Sequence, residues 1–316
     1  MSGARQTMSL YYTKGSRLNV LSHLRQLAIF CVAFGEVFLP VSKDTLLGFI
    51  ELMSRSSGYD HITHVLSSIK FLHQFTSYDY PGDSFEFKVL LRGLKRKLAK
   101  PLKQALPITP EMLIIMYQHV NVQDPFQLAH WTSFIFALRL LYRKSSIAPE
   151  SLNKFNPQKD FCRQKAILSE GVVLVYQNYS KNNQFMTTTR VTPLVPSSII
   201  ALNPVYHYSK LVSENPAGYD SPAFSFYEKG VLKCVTHKSF VEYLKSLLIK
   251  IGLDPAQWSG HSFRRDGASL LYRLGIDPLT IQSCGDWSSD TFIRYLEVNF
   301  DRLWSAQYTM ASFSVI

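Results

Sequence analysis

Pro101, Pro107 and Pro110 fall within ten residues of one another. No helix runs through such a stretch, because proline lacks the amide hydrogen and clashes with the turn before it. A chain of 316 residues is therefore divided about one third of the way along, and each side must close its own core. Length gives the same answer, since roughly 150 residues per domain leads to about two domains. The expected parts are a tail over 1–18, a helical unit over 19–104, a linker over Pro101 to Thr109, and a second unit over 105–316.

The first unit reads as four helices. Leu24, Leu27, Ala28, Cys31, Phe34 and Val37 recur at helical spacing within Val20 to Phe38. Ser42 or Asp44 can cap a second helix that runs through Leu52. A third spans His61 to Phe75, and Gly58 and Pro81-Gly82-Asp83 supply the turns. The fourth, Phe85 to Ala99, has Phe85, Val89, Leu91, Leu94 and Leu98 as its apolar side.

That fourth helix also gathers the charge. Lys88, Arg92, Lys95, Arg96, Lys97, Lys100 and Lys103 follow one another with no acid among them. Lys88, Arg92, Lys95 and Arg96 share one side at 100° per residue. A solvated helix face normally mixes both signs, so an unopposed set suits phosphates, the alternative being a merely basic solvent face. Lys plus Arg total 34 against 23 Asp plus Glu, a net charge of +11. Such an excess favours a polyanion, nucleic acid before acidic lipid.

Composition excludes other classes. With 46% hydrophobic and 18% charged residues the chain is an ordinary globular protein. Its most apolar run, Phe134 to Leu141, is too short to span a bilayer. Met1 to Arg17 has no apolar secretory stretch. Cys31, Cys162, Cys234 and Cys284 are scattered with no Cys-x-x-Cys, which points to reduced intracellular thiols and no zinc framework. Nucleotide-binding glycine loops are absent. His61 and His64 are spaced for one helix face, but without further ligands they read as a surface pair.

The second unit opens with helices over Pro110 to His119 and Gln127 to Tyr142. Val172 to Tyr176 and Thr189 to Leu194 alternate as strands of one small antiparallel sheet, with Asn178, Ser180, Asn182 and Asn183 in the turn. From Thr236 the pattern is helical again, broken at Gly252 to Gly260 and Gly275 to Pro278. The fold class expected is mainly α with a small antiparallel β-sheet.

The densest chemistry is Gly260-His261-Ser262-Phe263-Arg264-Arg265-Asp266-Gly267. His261 and Arg264, three apart, would share one helix face and offer a phosphate a directional donor and a bidentate fork. Around this motif stand Leu141-Tyr142-Arg143-Lys144-Ser145-Ser146 at the end of an apolar helix and Ser180-Lys181-Asn182-Asn183-Gln184-Phe185 in the hairpin turn. Gly285-Asp286-Trp287 and Arg294-Tyr295-Leu296 follow downstream.

This order of motifs resembles the tyrosine recombinase (phage integrase) family over essentially the whole chain. The wording is most like recombinases of eukaryotic mobile elements of the crypton and DIRS groups. The resemblance implies two domains that clamp duplex DNA like a C: a core-binding domain over 19–104 and a catalytic domain over 105–316. It implies Arg143 and Arg264 as the two arginines on the scissile phosphate and His261 as the motif histidine. Lys181 would be the hairpin acid for the leaving 5′ oxygen, Trp287 an indole donor to the phosphate, and Tyr295 the nucleophile. It further implies a tetramer on two DNA sites, nuclear residence, and recombination without metal, ATP or other cofactor. Leu296 to Ile316 would pack on a neighbouring protomer or close the protomer's own core.

Some positions leave alternatives open. Ser146 stands where many family members carry an acid. Trp287 precedes Tyr295 by eight residues, and Asp286 by nine. Arg265 competes with Arg264, and Arg190 lies near Lys181. The rival functions are a DNA-binding regulator descended from such a recombinase, a type IB topoisomerase, and a metabolic enzyme with a basic surface.

Overall fold

Thr13 caps the first described helix: its side chain accepts from the Ser16 amide at the start of α1, Lys14–Phe34. The computed structural model describes residues 11–99, 105–180, 183–296, 304, 307–308 and 310–311, with backbone alone at 14, 294 and 295. These fall into two compact units divided between residues 103 and 104.

In the first unit α1 stops at Gly35, which takes the left-handed conformation at φ 68°. The helix therefore starts inside the expected tail and ends before Phe38. α2, Lys43–Ser54, is capped by Ser42, and α3 is Tyr59–Phe75. α4, Phe85–Lys97, is capped by Ser84. Leu27, Leu46, Ile50, Ile62, Val65, Ile69 and Phe87 are fully enclosed in one core. The apolar side of α4 differs from the reading above. Phe85 and Val89 are exposed, while Phe87 and Leu94 are buried and Leu90, Leu91 and Leu98 pack beside them. Phe87, Leu91, Leu94 and Leu98 form an unbroken helical stripe, and Phe85 lies off it. His73 is wholly buried as a structural link, its Nδ1 on the Ile69 carbonyl at 2.9 Å and its Nε2 accepting from the Val41 amide at 3.1 Å.

The second unit is built around a helix buried on every side. α5, Pro110–Tyr117, is capped by Thr109, and α6, Pro125–Arg139, by Asp124. Every residue of α6 from Leu128 to Leu138 is buried. α6 ends three residues short of the expected Tyr142 because the chain turns left-handed at Leu141, φ 55°. α7, Lys144–Ile147, follows.

β1, Ala166–Ser169, β2, Val172–Gln177, and β3, Arg190–Leu194, form an antiparallel meander in the order β1-β2-β3. Val173, Val175 and Leu194 face the core. α8, Pro204–Glu214, leads to a hairpin of β4, Ser225–Glu228, and β5, Val231–Cys234. Its two-residue turn, Lys229-Gly230, has positive φ at both positions (51° and 77°), the conformation that matches strand twist. This hairpin is a second small sheet beside the one expected. α9, His237–Lys250, starts in a capping box of Thr236 and Ser239. α10, Ser262–Arg273, and α11, Pro278–Cys284, precede a 3-10 turn over Asp290–Tyr295.

The expected linker also needs correction at its described end. The Leu106 amide donates to the Gln257 carbonyl at 2.8 Å, Trp258 Nε1 donates to the Pro107 carbonyl at 2.9 Å, and Ile108 is wholly buried. Residues 105–108 are stitched into the second unit. Among the described residues no helix is long and apolar enough to cross a membrane.

Candidate active site

The site begins with the turn after α6. The Tyr142 amide donates back to the Ala137 carbonyl at 3.1 Å, closing the left-handed turn at Leu141. Arg143 emerges from it in extended conformation as the first residue before α7. The Leu141 carbonyl accepts from Arg264 Nη1, so the backbone just before the first arginine is held by the second.

Arg264 lies in the first turn of α10 and is 2% exposed. Such depth needs α10 to press closely on the end of α6, and Gly267 allows it. A Cβ at Gly267 would stand 2.6 Å from the Leu138 carbonyl oxygen and 2.2 Å from Leu141 Cδ2. The other face of Arg264 is covered by Trp287, whose ring centroid is 3.7 Å from the guanidinium carbon. Trp287 reaches that place through the turn after α11, where Asp286 is left-handed at φ 53° and the Trp287 amide bonds the Gln282 carbonyl at 3.1 Å. Leu141, Ala268, Ile281, Trp287 and Phe292 form a small core of their own beneath the site. Arg265 points elsewhere, its Nη1 on the Ala105 carbonyl at 2.8 Å.

His261 is exposed at the residue before α10, rather than within the helix as the three-residue spacing suggested. Its pKa falls below the ordinary histidine value, first because surrounding protein strips hydration from the charged form, then through the positive charges of Arg143, Arg264 and Lys144. The structure thus brings Arg143, His261 and Arg264 into one electrostatic neighbourhood, and adds Lys144. Gly260 makes room for that lysine: a Cβ there would lie 3.0 Å from Lys144 Cδ and 3.1 Å from its Cβ. Lys144 was visible in sequence only as the neighbour of Arg143. Nothing local announced that Gly260, far along the chain, would seat it.

The β2–β3 hairpin borders the same region. Gln177, Ser180, Arg190, Asp286 and Trp287 contribute to a cavity of about 200 Å³. Asn183 organises the loop: its Nδ2 donates to the carbonyls of Asn178 (2.9 Å) and Thr188 (2.6 Å), and its Oδ1 accepts from the Thr187 amide at 3.0 Å. Lys181 lies outside the described residues. So does the side chain of Tyr295, whose backbone ends the 3-10 turn. Phe292 anchors that turn, 2% exposed and with its ring centroid 5.8 Å from that of Trp287.

On α4, Lys88, Arg92, Lys95, Arg96 and Lys97 are all exposed, and Lys95 Nζ also lies 5.9 Å from the Tyr59 ring centroid. Lys100 and Lys103 are outside the described residues. The His61 ring stands 5.6 Å from that of His23, yet among the described residues no cluster of His, Cys, Asp or Glu is placed to hold a metal. Of the C-terminal segment's apolar residues, Trp304 is exposed, while Phe300, Leu303 and Phe313 lie outside the described residues.

No protein-family model and no curated protein matches this sequence. Solved structures do match its fold. The Tn1549 transposon integrase in complex with transposon right end DNA superposes with a TM-score of 0.61 at 14% identity, covering 98% of each chain. A lambda integrase tetramer bound to a Holliday junction gives 0.55 at 14% identity, over 91% of this chain and 75% of that one. The XerH site-specific recombinase bound to palindromic difH substrate gives 0.54 at 12% identity, over 86% and 71%. The chain has the tyrosine-recombinase fold. Within that fold the pocket of Arg143, His261, Arg264 and Trp287 is what the side chains offer to an anion: one deeply fixed guanidinium, a second nearby, and an imidazole whose pKa the surrounding protein and cations hold below its ordinary value.

Proposed function

We propose that this protein is a site-specific DNA recombinase that breaks and rejoins strands through a 3′-phosphotyrosyl intermediate. The observation that carries the reading is the convergence of Arg264, buried and stacked on Trp287, with Arg143 and His261. Attack on a phosphodiester builds charge on oxygens that are already anionic, so fixed cationic donors lower the barrier directly.

In the proposed step the phenol oxygen of Tyr295 attacks phosphorus and the bond to the 5′ oxygen breaks. The tyrosine proton passes to His261, whose neutral imidazole can accept it, and the leaving 5′ oxygen takes a proton from Lys181. The phosphotyrosine retains the bond energy, and a second strand's 5′ hydroxyl reverses the step to reseal the DNA. Arg143 and Arg264 grip the non-bridging oxygens, and Trp287 donates its indole N–H. Lys88, Arg92, Lys95, Arg96, Lys97, Lys100 and Lys103 contact phosphates of the duplex. Two sites exchange strands when four protomers assemble on them. That the DNA belongs to a nuclear mobile element of crypton or DIRS type rests on the wording of the motifs.

The test is covalent capture. Wild type and Tyr295→Phe are incubated with a random pool of nicked duplexes in EDTA, and protein that stays on DNA through denaturation is recovered and its DNA sequenced. Enrichment of a defined sequence by wild type alone is the expected result. An adduct that persists with Tyr295→Phe names another nucleophile. Salt-sensitive binding with no adduct identifies the non-catalytic regulator instead.

A further inference from the structure

Arg190 is the first residue of β3 and pairs across the hairpin with Gln177. Its side chain joins two elements. Nη2 donates to Gln177 Oε1 at 2.6 Å, and Nη1 donates to the Ser283 carbonyl in the last turn of α11. A guanidinium suits this place, because its planar fork can hold two acceptors at a fixed angle. Carbonyls at a helix C-terminus also favour a cation.

Both ends of the bridge matter to the site. The Ser283 carbonyl lies just before the turn that delivers Trp287 onto Arg264. The hairpin loop, tied internally by Asn183, contains Lys181. A third element converges here. The Tyr142 hydroxyl, next to Arg143 in the chain, has its pKa raised by burial to about 12, against an opposing pull from Arg190. Arg190 is therefore the point at which the hairpin, the turn before Arg143 and the turn before Trp287 meet. It does not serve as the proton donor, since both terminal nitrogens are engaged and a guanidinium does not release its proton in proteins.

We propose that Arg190 is a positioning residue: it docks the β2–β3 hairpin against α11, and protonation of the leaving 5′ oxygen depends on that docking. The inference rests on the recombinase reading above. A misplacement of about 1 Å at a reacting centre can cost roughly 100-fold in rate, so the docking has a measurable consequence.

The experiment compares wild type with Arg190→Met and Arg190→Lys on the nicked duplex recovered by covalent capture. Two versions of that duplex are used, with oxygen or with sulfur as the bridging 5′ atom. A 5′ thiolate departs without being protonated, so the sulfur substrate does not need the hairpin's donor. The expected result is that Arg190→Met cleaves the oxygen substrate about 100-fold more slowly than wild type, binds it equally well, and returns to within about tenfold of wild type on the sulfur substrate. Arg190→Lys keeps the charge but reaches one acceptor only, and shows the same pattern to a smaller extent. If Arg190→Met lowers the melting temperature, Gln177→Ala, which removes one anchor and leaves the arginine, carries the comparison. An equal loss on both substrates assigns Arg190 to general structure and overturns the proposal, as does an unimpaired variant. Wild type that cleaves neither substrate overturns the recombinase reading itself.

Discussion

The guanidinium carbon of Arg264 lies 3.7 Å from the centroid of the Trp287 ring. The stack depends on Gly285, because a Cβ there would overlap the indole, 1.6 Å from Trp287 Cζ3. An arginine over an indole at a desolvated site gains on the order of 1–2 kcal/mol. Trp287→Phe keeps a ring under Arg264 but removes the N–H proposed to reach the phosphate. It is expected to fold normally and to form the covalent adduct about tenfold more slowly, the cost of one such donor. Trp287→Ala also empties part of the small core shared with Leu141, Ala268, Ile281 and Phe292, and should lose about 3–5 kcal/mol of stability. Adduct rates and urea melts separate the two effects. Normal kinetics in Trp287→Phe would limit Trp287 to packing.

Gly267 and Gly93 make opposite predictions from the same substitution. At Gly267 a Cβ meets a backbone oxygen, that of Leu138, at 2.6 Å, which cannot rotate away. Gly267→Ala must push α10 off α6 and should cost about 1–3 kcal/mol, with Arg264 carried out of place. At Gly93, within α4, a Cβ meets nothing within 4 Å. Gly93→Ala should stabilise the protein by about 0.5–1 kcal/mol through the lower backbone entropy of the unfolded chain. Chemical denaturation of both variants checks the signs, and adduct formation should fall only in Gly267→Ala.

What could be read from the sequence follows physical range. Ser42 caps a helix where the local pattern places it, because a cap needs only the next three residues. The central buried helix and the β2–β3 pair were legible from apolar runs. The hairpin of β4 and β5 was not, because strands of four residues with Glu228 and Lys233 among them carry too little alternation. α8 was missed as well, since its amphipathic face is interrupted by His207, which is wholly buried. In the site, Arg143, His261, Arg264 and Trp287 were chosen from motif order. The seat of Lys144 on Gly260 and the reach of Arg190 to Ser283 join residues far apart in the chain. No local spacing encodes such contacts.

The exposed cations on α4 predict a specific salt response. Lys95, Arg96 and Lys97 occupy its last turn, and alanine preserves the helix there. If they contact phosphates, the triple variant Lys95→Ala/Arg96→Ala/Lys97→Ala loses about 0.9 from the slope of log affinity against log salt for each contact removed. The loss should be about the same for any duplex sequence. Fluorescence anisotropy at several salt concentrations measures it. Weaker binding with an unchanged slope would mean that the helix touches DNA without neutralising phosphates.

Acid should unfold the second unit through two buried histidines. His130 and His207 are wholly buried, and burial pushes each pKa down to about 4. His207 shows why protonation is unfavourable. Its Nε2 donates to the Ile200 carbonyl at 2.8 Å, while its buried Nδ1 has no partner among the described residues to receive an added proton. His130 is held at both nitrogens, by the Phe126 carbonyl at 2.7 Å and Ser239 Oγ at 2.9 Å. The folded pKa lies below the unfolded value of about 6.5, so the unfolded state binds protons first as pH falls. Stability from these groups is complete above about pH 6.5 and declines towards pH 4, by an amount on the order of 2–3 kcal/mol per histidine. His207→Gln can retain a donor towards Ile200 without titrating. Its urea midpoint should therefore vary less between pH 7 and pH 4.5 than that of wild type, even if it is lower at pH 7. An identical pH slope in variant and wild type would remove His207 from the acid transition.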